Sequence, residues 1–436
     1  MGETETAFET AERSRARNFI DLLGSQKLNL RNSVDQGLYE RQIKLRAQIG
    51  EHETLVAQAE DKKASDLYKT SLSRLNDELR DLMLEIQTKN PGLASFVSVD
   101  PLRTEEVRKL LEPGVVLLSY YIVPDQILCW VVKKEGVKLF RTRLDRAALG
   151  NSILEFRQMI QNLEPTEARS KELFDKIMSA VMPEIEGAKY LGIVPHGFLH
   201  YLSFATLYDG SQYVEDRFPL FYVPSSSVLK YTLGRRTDNK NLRVLAIGNP
   251  ELNDPALDLP FAEQEVETIK WNFGDVTILS KEKATESWVE KNIGQFGIIH
   301  IASHGEFDPV NPLFSAVKLA KDDKADGNME AAEVFGLRIN ADLVLLSACQ
   351  TGLGKITGGD DVIGLNRAFF YAGTHSIISS LWRVSDISTA VLVKQFYRQY
   401  ANYNKAESLR KAILHVKNRY PHPGYWGAFI LSGDYY

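Results

Sequence analysis

Cysteine is scarce in this chain: two in 436 residues, Cys129 and Cys349. That excludes a disulfide framework and a cysteine-rich zinc site. No stretch approaches the run of about 18 apolar residues that a membrane span needs. The opening MGETETAFETAERSRAR is polar and charged where a secretory leader is apolar. Basic charge is not in excess either, with 52 Lys+Arg against 57 Asp+Glu and a net charge of -5. The chain therefore lacks the global field of a non-specific nucleic-acid binder, and neither nucleic acid nor membrane is expected as a direct partner. The cytoplasm is the expected compartment. What is present, 44% hydrophobic and 25% charged residues, is ordinary globular composition. Dividing the length by about 150 residues suggests two or three domains.

Three regions follow from the patterning. Residues 1–90 read as helical. AFETAERSRARNFIDLL stops at Gly24, and Leu72, Leu75, Leu79, Leu82 and Ile86 recur at helical spacing. A helical hairpin fits this region. So does the last unit of a helical repeat array, since the chain starts inside a well-formed helix. Asn90-Pro91-Gly92 ends the region. Residues 91–240 open with three strands, VVLLSYYIV, ILCWVV and VKLFRTRL. Two helical patterns follow, and then YLGIVPHGFLHYLSFATL. After the polar RRTDNKN, residues 241–436 alternate strand and helix, which predicts a parallel sheet covered by helices on both faces. Ligands in such sheets sit beyond the C-terminal strand ends.

Two of those ends carry chemistry. IIHIASHGE runs out into His304-Gly305, and LVLLSACQTG runs out into Ser347-Ala348-Cys349, 45 residues after His304. Only a thiolate attacks well, and a thiol of pKa about 8.5 needs a nearby imidazole to become one. The same imidazole can return a proton to a departing amine. Backbone N–H groups of Gly305 and Cys349 are candidates for an oxyanion hole. Taken singly, a cysteine after an apolar run reads as a buried small hydrophobe, and a single histidine as structural. It is the pairing at two strand ends that points to a dyad. Cys129 inside ILCWVV, His300 inside its strand, and His196 and His200 in VPHGFLHYL read as structural. GLGKITGGDD is not a P-loop, because Cys349 and Ile356 stand where glycine and Ser/Thr are required. HIASH lacks the glutamate of a zinc-peptidase helix, so no metal and no cofactor is expected.

These residues resemble the CHAT domain family, caspase-like cysteine peptidases often fused to tetratricopeptide repeats and related to caspases and separase. The resemblance runs from about Pro101 to the C-terminus, through LEPGVVLLSYYI, IVPHGFLHYLSFATL, IHIASHGEF, LVLLSACQTGLG, GLNRAFFYAGTHSIISSLWRVSD and HPGYWGAFILSGD. ERSRARNFIDLL resembles the helix that joins the repeats to this domain. The family implies an α/β fold of three αβα layers, with a degenerate caspase-like half (91–240) followed by a catalytic half (241–436). It also implies His304 as general base and acid and Cys349 as nucleophile. The caspase signature is only partly kept, as Ser347-Ala348-Cys349-Gln350-Thr351-Gly352.

The resemblance implies a substrate pocket built partly from Leu381-Trp382-Arg383-Val384-Ser385-Asp386. There Trp382 is a candidate apolar wall. Arg383 inside the pocket would select an acidic residue before the scissile bond, and Asp386, Asp360 or Asp361 a basic one. With all of these charges turned outward as solvated loop residues, an apolar residue such as Leu or Met is expected there. It further implies a protein substrate and a regulated role in prokaryotic defence or cell death. A regulatory protein, a repeat-domain partner or an RNA-guided effector complex would hold the chain in check. The alternative is a catalytically silent adaptor that only binds partner proteins.

Overall fold

The computed structural model describes residues 2–25, 102–233, 243–306, 314–347 and 364–436, with scattered positions between 41 and 82. Two compact units result, Met1–Glu12 with Pro101–Tyr436, and Arg13–Asp100.

Apolar runs bounded by turns become strands. In chain order they are β1 (Val115–Val123), β2 (Gln126–Val132), β3 (Val137–Arg143), β4 (Tyr190–Val194), β5 (Leu220–Tyr222), β6 (Val244–Pro250), β7 (Val276–Lys281), β8 (Ile298–Ala302), β9 (Gly305–Glu306), β10 (Ala316–Lys318), β11 (Asn328–Glu330), β12 (Leu343–Leu346), β13 (Ser376–Ser380) and β14 (Phe429–Gly433). Eleven of them form one sheet in the order β3-β2-β1-β4-β5-β14-β13-β12-β8-β6-β7, and β11-β10-β9 form a small second sheet. The strands before residue 240 thus make one end of the large sheet and those after it the other. The two groups meet where Tyr222 of β5 pairs with Ser432 of β14.

The sheet is mixed, not parallel throughout. The tight turn at Pro124-Asp125 makes β1 and β2 an antiparallel hairpin. β14 runs antiparallel to β13. The reason is parity: a single crossover helix returns the chain for a parallel strand. Between β13 and β14, however, lie two helices packed on each other, Asp386–Tyr400 and Lys405–Arg419.

Alternation along the strands separates two cores. Val244, Ala246, Ile298, Ala302, Leu343 and Leu345 join one with Val266, Ile269, Leu392 and Phe396. Leu245, Ile247, Ile299, Ile301, Val344 and Leu346 join the other with Val289, Val334 and Phe369. Helices therefore cover both faces, which gives the αβα layering expected of a caspase-like fold. Local signals place these helices. Asp145 caps Arg146–Gln161 by accepting from Ala148 N at 2.7 Å. Pro260 opens Pro260–Ile269.

The helix Glu3–Ser25 begins inside the larger unit. Phe8 is fully buried edge-on against Trp130 at 6.0 Å between ring centroids, and Trp130 Nε1 donates to the Thr4 carbonyl at 3.1 Å. A boundary at residue 90 therefore does not separate these first turns from the sheet. In Arg13–Asp100 the described residues are helical, with Leu45, Leu75 and Leu82 buried. Leu72, Leu79 and Ile86 lie outside the described residues. No helix among the described residues is long and apolar enough to cross a membrane.

Candidate active site

β8 and β12 are parallel neighbours with Leu346 opposite Ile301, and Ser347 N donates to the Ile301 carbonyl at 2.9 Å. Both strands thus deliver their following residues to the same edge of the sheet. His304 stands two residues past β8 and is half-buried. Its Nε2 lies 2.9 Å from the carbonyl oxygen of Leu257. A carbonyl only accepts, so Nε2 carries the proton. Nδ1 is then the basic nitrogen of the neutral ring. The His304 backbone is fixed as well, its carbonyl accepting from Lys318 N at 2.8 Å. That bond makes Gly305 and Val317 a non-hydrogen-bonded pair of the β9–β10 ladder, so the ladder does not take the Gly305 N–H.

His304 opens onto a cleft. Its walls include Gly305, Ser347, Phe261, Arg383 and Asp386. Of the expected pocket residues, Arg383 and Asp386 are exposed on this wall. Trp382 is not part of it. It is 1% exposed and turned to the Arg157 guanidinium, 6.0 Å from its ring. The chain bends at Leu381 and Trp382 as it leaves β13, and of Trp382 and Arg383 only Arg383 lines the cleft. Cys349, two residues beyond Ser347, lies outside the described residues, as do Asp360 and Asp361.

Cys129, His300 and His196 are each engaged away from the cleft. Cys129 is buried, and burial pushes its thiol up, away from reactivity. His300 is fully buried in β8 between Glu265 Oε1 at 2.8 Å from Nε2 and the Tyr397 hydroxyl at 3.2 Å from Nδ1. His196 follows β4 by two residues and precedes a glycine, as His304 does after β8. Its ring lies on Tyr121 at 4.0 Å, and its Nδ1 accepts from Ile122 N at 3.2 Å. Glu265 and the Leu257 carbonyl were not found by sequence reasoning. A backbone acceptor has no residue signature. Glu265 reads as one more polar position of an amphipathic helix.

Among curated proteins the chain is similar to tetratricopeptide repeat protein 28 of Mus musculus. The two are 26% identical over 298 residues, which is 56% of this chain and 12% of that protein's length. Among solved structures it is similar to the Saccharomyces cerevisiae separase–securin complex (13% identity, TM-score 0.41, 91% of this chain and 27% of the other). It is also similar to the Arg-specific cysteine proteinase gingipain R (9% identity, TM-score 0.39, 66% and 74%). The sequence profile of the CHAT domain matches residues 167–434, which holds the central part of the sheet, His304 and Cys349. The chain belongs to the CHAT domain family.

Proposed function

We propose that this protein is a cysteine endopeptidase with Cys349 as nucleophile and His304 as general base and acid. The observation that carries the reading is the hydrogen bond from His304 Nε2 to the Leu257 carbonyl, which leaves Nδ1 unprotonated at an open cleft. Nδ1 takes the proton of the Cys349 thiol, and the sulfur attacks the peptide carbonyl. The oxyanion is met by the Gly305 and Cys349 N–H groups. Collapse breaks the C–N bond, and the amine leaves with the proton from His304. Water, deprotonated by the same imidazole, then hydrolyses the thioester and restores the thiol. The Leu257 carbonyl stabilises the imidazolium formed at each step without becoming protonated itself.

The substrate class is a polypeptide, and the peptidase is a regulated one acting in the cytoplasm. Restraint comes through the helical region, which a repeat-domain partner or an RNA-guided effector complex engages in a defence or cell-death role. Support for a repeat context is the name of the mouse relative.

The test is a peptide-library digest by the wild type, Cys349→Ala and His304→Ala, with and without candidate partners. Loss of cleavage by about four orders of magnitude in both variants is expected. Cleavage that survives Cys349→Ala removes the nucleophile. Silence of the wild type under every condition leaves the adaptor.

A further inference from the structure

Asn249 is 1% exposed and has a left-handed backbone with φ +53°. It is the extra residue of a bulge at the end of β6: Gly248 pairs with Ser280 and Pro250 with Lys281, and Asn249 is left between them. Bulges re-aim side chains. Here the amide points into the loop that leads to the helix Pro260–Ile269. Its Nδ2 donates to Asp258 Oδ1 at 2.9 Å, and its Oδ1 accepts from Leu259 N at 2.8 Å. Both ends of one amide therefore hold the two residues that follow Leu257. Asp258 is held from a second side by the Nζ of Lys281, another non-glycine residue at positive φ, +51°. These two contacts, Lys281 first and Asn249 second, keep the Asp258 carboxyl below its usual range. The Leu257 carbonyl, directly before the two residues so held, is the acceptor of the His304 Nε2 hydrogen bond.

We infer that Asn249 is a positioning residue for His304: with Asp258 and Lys281 it orients the Leu257 carbonyl, and that carbonyl selects the imidazole tautomer that leaves Nδ1 free to take a proton. Asn249 does not line the cleft, so it acts through Leu257 and not on the substrate. The residue type suits the place. Asparagine tolerates the left-handed region better than other side chains and offers a donor and an acceptor in one plane. Glycine there would keep the backbone and lose the grip.

The inference rests on the proposed role of His304, and its test separates the two. The full chain, labelled with 15N-histidine, is compared as wild type, Asn249→Gly and Asp258→Ala at a pH where the imidazoles are neutral. The His304 signals are assigned by their loss in His304→Gln. Long-range 1H–15N spectra are expected to show the Nε2-protonated tautomer of His304 in the wild type and a mixture of tautomers in both variants. On a cleaved peptide, kcat is expected to fall about tenfold with KM unchanged. The paired exchange Asn249→Asp with Asp258→Asn, which rebuilds the donor–acceptor contact, is expected to restore both readouts. Asp258 is exposed, so Asp258→Ala folds even where Asn249→Gly does not, and it then decides alone. A wild-type His304 spectrum in the folded variants overturns the inference. A changed tautomer alongside a wild type that cleaves nothing keeps the coupling of Asn249 to His304 and removes the peptidase reading.

Discussion

Arg157, on the helix Arg146–Gln161, donates through Nη2 to the backbone carbonyl of Leu381, the first residue past β13. Its guanidinium carbon lies 6.0 Å from the Trp382 ring and 5.8 Å from that of Tyr201. A side chain from a helix before residue 240 thus holds the segment that carries Arg383 to the cleft.

Replacing this guanidinium has a defined cost. Arg157→Leu removes a charge-assisted bond and leaves the Leu381 carbonyl without this donor, together worth about 2–3 kcal/mol. Arg157→Lys keeps the charge but not the planar fork, and is expected to recover only part of it. Urea unfolding reads both. A Leu variant within about 0.5 kcal/mol of the wild type would refute the clamp.

Gly248 lies one residue before Asn249, where a Cβ would meet the Ala262 carbonyl oxygen at 2.7 Å and Val266 Cγ2 at 2.7 Å. The oxygen belongs to the backbone of the helix Pro260–Ile269, so the helix itself must shift. Gly248→Ala is expected to destabilise the fold by about 1–3 kcal/mol. Because Phe261 and Ala262 line the cleft, cleavage should fall by more than the lost stability explains. Activity measured well below the unfolding midpoint checks this, and full activity there would show that the helix relaxes without disturbing the site.

How far this site was legible depends on what kind of signal each part leaves. β6, β8 and β12 are continuous apolar runs, the mark of strands buried on both faces, and were readable as such. So was His300, because a histidine inside such a run must find partners in the core. The direction of β14 was not, since it depends on counting packed helices between strands rather than on its own residues. Nor was β5, three residues long. Trp382 has the composition of a pocket wall, yet a side chain's face depends on where the strand pattern stops. Asn249 reads as a strand terminator, and only the bulge shows where its amide goes.

Glu215 gives a pH dependence with a definite sign. It is 2% exposed, and burial pushes its carboxyl up to about 8. The nearby Arg410 guanidinium is engaged by the Glu215 and Asp216 backbone carbonyls rather than by this carboxylate. The folded state therefore holds a proton that the unfolded state releases near pH 4.5, so this group's contribution falls as pH rises from about 4.5 to about 8. The full fall is on the order of 4 kcal/mol. Glu215→Gln should flatten the stability profile over that window and be the more stable protein at pH 9. Parallel urea titrations between pH 5 and 9 measure it, and identical slopes would refute the assignment.

Lys405, 1% exposed, sits 3.1 Å from Asp342 and 3.4 Å from Asp434 at the sheet edge opposite the cleft. Burial opposes ionisation of Asp342, but His375, Lys405 and Tyr400 hold its carboxyl below the usual range. Lys405→Met leaves two buried carboxylates without their cation, which costs about 3–5 kcal/mol. Adding Asp342→Asn should return part of that loss. Thermal unfolding of the single and double variants checks it, and a double variant no more stable than Lys405→Met would show that the pair is not coupled.

Arg383 and Asp386 share the cleft wall but differ in what else they do. Asp386 is the first residue of a helix of 15 residues, where a carboxylate is favoured by the helix dipole and needs no ligand to explain it. Arg383 precedes the cap residue Ser385 and has no such role. It is therefore the charge expected to read substrate, selecting Asp or Glu before the scissile bond through a charge-assisted pair. Arg383→Ala should lower kcat/KM for acidic peptides about tenfold to a hundredfold, the equivalent of about 1.4–2.8 kcal/mol, and leave apolar peptides unaffected. Asp386→Asn should cost less than about 1 kcal/mol of stability and leave the preference unchanged. Profiling both variants on one peptide library separates the two. A preference that moves with Asp386 and not with Arg383 would reverse their roles, since the wall would then be reading a basic side chain.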